Sequence, residues 1–228
     1  MILLEQRSVT PIPSVMQRCS DSCSAWWLAL VLTLVVWVAP ARATTKGLNQ
    51  IVTPDIQPAG ILSLSAQLQD SRIGNSEEVQ FELGLTSRLE VSLFQGFKTN
   101  EQVAGAEFNL FTDGPHLFTA GAVNWSSHGG GTQPVLEYGY YAKNDHFIAG
   151  AIYAGHRTEG ILGYSHQLTE KLQFSADYQS GPGNSATLGL TYNFTPNLQM
   201  NPSLYFTNTR PTRVLGYVVV SWNIPVWK

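Results

Sequence analysis

The chain has 228 residues and carries 13 Lys and Arg against 16 Asp and Glu, a net charge of −3 at pH 7. That balance excludes nucleic acid as an electrostatic partner. Charged residues make up only 13%, against ~25% in an ordinary soluble domain, while aromatic residues reach 11% and there are 20 glycines, so much of the surface is expected to face something other than water.

Trp26 to Val38 (WWLALVLTLVVWV) is the one long uninterrupted apolar run. It falls short of the ~20 apolar residues that a membrane-spanning helix needs. Ala41-Arg42-Ala43 comes directly after it. A basic start, an apolar centre and an A-x-A end describe a secretory signal peptide, here 1–43, with cleavage after Ala43. Met16-Gln17-Arg18 offers an alternative start with a conventional basic beginning. A retained N-terminal anchor helix is the competing reading of the same run. Both cysteines, Cys19 and Cys23, precede the run and leave with it. The exported part therefore has no disulfide to hold a thin core together.

Thr44 to Ala59 has two prolines and no sustained period. It is read as a periplasmic lead-in, or as a short plug entering a barrel. From Gly60 onward, short segments alternate apolar and polar residues. In Lys171–Gln179, Leu172, Phe174, Ala176 and Tyr178 fall on one face of a strand, and Gln173, Ser175, Asp177 and Gln179 on the other. Twelve such strands are predicted, at 60–69, 78–86, 88–96, 103–112, 116–125, 134–143, 146–154, 158–167, 171–179, 185–193, 197–207 and 212–222. Ten is the nearest competing number. Pro202, inside the eleventh, cannot donate to a ladder and predicts a bulge. The fifth and seventh strands, around Phe118 and Phe147, do not sort into two faces.

The connectors alternate too. Thr86-Ser87-Arg88, Asp113-Gly114-Pro115, Asn144-Asp145, Thr169-Glu170 and Thr195-Pro196-Asn197 are tight polar turns. Those between them are mostly longer. Both ends of the strand run then fall on the short-turn side. Strands of ~9–11 residues cross a bilayer when tilted, and a closed sheet satisfies every backbone group without help from lipid. The fold expected is an all-β, closed, antiparallel, up-and-down transmembrane β-barrel over 60–228, with polar residues inward.

The segments Gly84–Val91, Gln167–Leu172 and Tyr192–Leu198 resemble the periplasmic turns of bacterial outer-membrane β-barrel proteins, in which Leu or Phe, Thr, two polar residues and Leu recur between strands. The last strand and Ile224–Lys228 resemble their C-terminal assembly signal, but with Lys228 rather than an aromatic residue last, and with Pro225 interrupting the segment. The resemblance implies the bacterial outer membrane, contact with outer-membrane lipid, and the barrel-assembly machinery as a partner.

Glu82, Glu90, Glu107, Glu137 and Asp177 are expected to face the lumen, with Lys143 and Arg213 as candidate inward cations. Inward carboxylates favour small cations in a water-filled channel, or else fill a narrow barrel as part of a plug. His156-Arg157-Thr158-Glu159 reads as a solvated turn on the outer rim, or as a small polar binding patch there. The five histidines are His116, His128, His146, His156 and His166. Outer-membrane phospholipases and lipid A deacylases place a Ser two residues from a His on the outer face. Here Ser127-His128 and Ser165-His166 are adjacent in sequence and would point to opposite faces. No catalytic, cofactor or metal residue is assigned, and no cofactor is expected. The leading expectation is a small passive pore or a structural barrel, weakly cation-preferring if open. The alternatives are a lipid-modifying hydrolase and a soluble periplasmic β-protein.

Overall fold

The computed structural model describes residues 48–73, 75–129 and 131–227. The export signal expected over 1–43 lies outside them. Twelve strands follow one another in chain order: β1 (Ile61–Gln69), β2 (Glu77–Gly84), β3 (Leu89–Gly96), β4 (Glu101–Asp113), β5 (His116–Ser126), β6 (Gln133–Tyr141), β7 (Asp145–Tyr153), β8 (Thr158–Gln167), β9 (Leu172–Gln179), β10 (Ser185–Thr195), β11 (Leu198–Thr207) and β12 (Val214–Pro225). Each pairs antiparallel with the next, and β1 pairs with β12, so the sheet closes into a barrel. Closure removes the edges that an open sheet would expose.

The two-residue period of each strand becomes an inside and an outside. On β10, Thr187 is 2% exposed and Leu188 45%. The same alternation sets Ser63 and Ser65 of β1, Glu82 of β2 and Ser203 of β11 inward, and Phe81, Leu162, Leu204 and Val220 outward. A polar interior inside an apolar exterior is the reverse of a soluble barrel. It fits a wall whose outer face meets hydrocarbon. Rings cluster at the short-turn end of that outer face: Phe118 with Tyr138 at 4.9 Å between centroids, Phe147 with Tyr164 at 5.0 Å and Tyr192 with Phe194 at 5.1 Å. This is the position of an interfacial aromatic girdle.

Three short turns share one construction. The Thr86 hydroxyl accepts hydrogen bonds from the backbone N–H groups of Arg88 (3.1 Å) and Leu89 (3.0 Å). Thr169 does the same for Lys171 and Leu172, and Thr195 for Asn197 and Leu198. The recurring Thr thus caps the turn with its own side chain, as short hydroxyl residues do.

Two sequence expectations need correction. Pro202 makes no bulge: the β10–β11 register is the same at Gly189↔Ser203 and Tyr192↔Met200, and the irregularity lies instead between Asn193 and Thr195. Pro202 is accommodated because its missing N–H coincides with a stretch where that ladder is interrupted, while its partner on β12 is Val218. Likewise β12 does not stop at Trp222. It runs through Ile224 and Pro225, which pair with Leu62 and Ile61 along the closing seam, and the Val226 N–H bonds the Gly60 carbonyl at 2.8 Å.

Candidate functional site

The interior is occupied. Residues 48–59 form no strand of the barrel. They return from Gly60 into the lumen and cross it, touching β3, β5, β6 and then β9–β11.

At the Gly60 end, Ala59 makes one isolated bridge to Gly84. The Gln57 N–H donates to Glu90 Oε2 at 2.7 Å. Tyr141 donates its hydroxyl to Asp55 at 2.9 Å, and Thr119 donates to the Pro54 carbonyl at 2.6 Å. Further in, Ile51 is 2% exposed and packs in an apolar cluster with Val123, Val135, Ile148, Ile152 and Ile161. Apart from Ile51, these side chains are inward residues of β5–β8. They explain why β5 and β7 show no clean alternation: Val123, Ile148 and Ile152 make much of the inner face apolar, against Ile51, opposite an outer face that is apolar as well.

The far end is held by polar groups. Asn49 Nδ2 donates to Thr187 Oγ1 (3.0 Å), and its Oδ1 accepts from Ser175 (2.9 Å), Ser203 (2.9 Å) and Asn201 (3.3 Å). Its N–H donates to Asp177 Oδ2 at 2.7 Å, and its carbonyl accepts from the Tyr205 hydroxyl at 3.1 Å. The Gln50 N–H reaches the same Asp177 oxygen at 3.2 Å, and its side chain donates to the Ser185 carbonyl at 3.0 Å. Asp177 is fixed in turn by Thr187, which donates to Oδ1 at 2.6 Å. Each polar atom of Asn49 therefore has a partner, as burial at 5% exposure requires.

Glycines in the wall make the room. A Cβ at Gly189 would overlap Asn49 Oδ1. One at Gly163 would sit 2.7 Å from Leu48 Cδ1 and 2.8 Å from Ile51 Cδ1, and one at Gly139 would sit 2.7 Å from Pro54 Cγ. Gly84 is similarly closed off by the Gln57 and Pro58 carbonyls.

Glu82, Glu90, Glu107, Glu137 and Asp177 are all buried, at 1–6% exposure, on the inner face. Glu159 joins them at the long-loop end, where Arg157 bonds it at 2.6 Å. The sequence reading of Glu159 as part of a solvated rim turn is therefore corrected. Its position at the second residue of an alternating strand is the signal for the inward face. Lys143 and Arg213 lie outside the strands and are exposed, so neither is an inward cation. Among the described residues, every Lys and Arg is exposed and every buried charged side chain is a carboxylate.

The histidines do not assemble a hydrolytic site. His128 is exposed in a loop, and its backbone N–H, not its ring, bonds Ser126. Ser165 is buried inward, at 1% exposure, while His166 is on the outer face. There the His166 ring bonds Asp145 at 2.8 Å, and the neighbouring hydroxyl on that carboxylate is Tyr164 at 2.7 Å. A base and an orienting acid are present, but the group beside them is a phenol and not a serine nucleophile.

No protein-family model matches the chain, and no curated protein matches it in sequence. Solved structures do match. The NanC porin superposes with a TM-score of 0.52 at 10% identity, covering 71% of this chain and 98% of that one. The KdgM porin, in a structure with disordered oligogalacturonate, gives 0.53 at 9% identity over 71% and 98%. The likeness is one of fold: the chain has the architecture of the small outer-membrane porins. Together with the apolar exterior, that architecture is one of a barrel wall set in lipid.

Proposed function

We propose that the protein is a narrow passive channel for small solutes, cation-preferring when its lumen is open. One observation carries the reading: the buried charged side chains of the described interior are all carboxylates, and the described cations are outside or on the rim. Charges of one sign inside a low-dielectric wall bias permeation toward counter-ions. The KdgM structure holds an oligogalacturonate, itself a chain of carboxylates. A lumen of this charge fits such a solute poorly and favours small cations or neutral molecules. Assembly by the outer-membrane barrel machinery belongs to the same reading and is supported by the terminal strand β12. The test is single-channel recording in a planar bilayer across a KCl gradient. A reversal potential on the cation side is expected, and anion selectivity would refute the proposal.

A structural barrel is the second reading. The filled lumen favours it: Asn49, Ile51 and Gln57 are each 5% exposed or less, so the described state leaves little room for water along that path.

A further inference from the structure

Residues 48–57 are bound to the wall as a ligand is bound. They form no strand, so no ladder holds them. Their attachment is a set of side-chain hydrogen bonds, an apolar anchor of Ile51 flanked by Leu48 and Val52, and glycines placed where any side chain would collide. The bonds at Asn49 have the character of recognition. Three donors converge on one carboxamide oxygen, and a hydroxyl accepts from the carboxamide nitrogen. One carboxylate oxygen takes two successive backbone N–H groups, and a phenol donates to the intervening carbonyl. This constellation reads a peptide backbone and an asparagine side chain together.

We propose that Ser175, Asp177, Thr187, Asn201, Ser203 and Tyr205 form a lumenal binding site for a bent, carboxamide-bearing chain, that Asn49–Gln50 is its tethered occupant, and that release of this occupant opens the barrel. The proposal rests on the channel reading above and adds what closes the channel and what chemistry can take the closing segment's place. Each hydrogen bond contributes only a small net stabilisation, because water competes for the same groups. A handful of them hold the segment without making its release a global unfolding event. A solute that offers the same groups competes directly with it.

The test uses the full exported chain, with correct folding checked by heat-modifiable gel mobility. The chain past Ala43 has no cysteine, so Asn49→Cys with Gly189→Cys introduces the only thiol pair there. A Cβ at Gly189 lies 2.8 Å from Asn49 Cγ, which brings the two Cβ atoms near the ~3.5–4.5 Å of a disulfide. In a planar bilayer the oxidised form should be closed, and reduction of the same molecules should restore conductance. In a second arm, Asn49→Ala should conduct more than the parent. A free peptide of sequence LNQIVTPDIQ should block it, and the same peptide with Ala in place of Asn should not. Equal conductance in the oxidised and reduced forms, or block indifferent to the asparagine, overturns the site while leaving the channel standing. Silence from every form, the reduced one included, overturns the channel and the site together.

Discussion

Glu90 and Glu107 stand directly opposite one another on β3 and β4, both turned inward, at 2% and 6% exposure. Like charges at opposed positions of an antiparallel pair destabilise it by roughly 0.2–1 kcal/mol. The Gln57 N–H offsets part of that cost at Glu90.

The first prediction concerns that pair. Glu107→Gln should move the reversal potential of the opened barrel toward zero in a KCl gradient, because one of the two facing charges is gone. An unchanged reversal potential would remove Glu107 from the permeation path.

Gly163 tests the fit of the segment. Gly163→Val places a side chain against Leu48 and Ile51, whose methyl carbons lie 2.7 and 2.8 Å from where a Cβ on that glycine would stand. Overpacking of this kind costs about 1–3 kcal/mol. The barrel can avoid that cost by expelling the segment, so limited proteolysis should cut 48–59 in the variant while the strands stay resistant. A segment as protected as in the parent would show that the contact is not tight.

Tyr141→Phe removes the hydroxyl that bonds Asp55 at 2.9 Å. A hydrogen bond to a charged group contributes about 1.5–3 kcal/mol. The expected result is looser seating of the Pro54–Gln57 stretch, read as faster amide exchange there, with little change in the strands. Uniform acceleration across the barrel would indicate a global role for Tyr141 instead.

The outer face gives the fourth prediction. Leu188 is 45% exposed beside the inward Thr187. Leu188→Arg should destabilise the barrel in lipid vesicles by up to about 2–4 kcal/mol, according to its depth in the hydrocarbon. On a water-facing surface the same change would be close to neutral. Denaturant unfolding from vesicles measures the difference.

Much of this architecture is legible in the residues. Leu62, Phe81, Leu172 and Leu188 alternate with Ser63, Glu82, Gln173 and Thr187, and because successive strand side chains point opposite ways, that pattern sorts outside from inside before any pairing is known. The Thr86, Thr169 and Thr195 turns are equally legible, since a hydroxyl capping its own turn is a local event. The inward glutamates come from the same parity. Pro202 and Pro225 mislead for the opposite reason: a missing N–H matters only where a neighbouring strand needs it, and that depends on the partner.

The alternation and the local turns thus belong to the chain as written, because each depends on residues within a few positions of one another. What the folded barrel alone supplies is the meeting of Asn49 with Asp177, Thr187 and Ser203, and of Ile51 with Ile148 and Ile161. Those partners lie far apart along the chain. No period in the sequence links them, and closure of the sheet around the returning segment is what brings them within bonding distance.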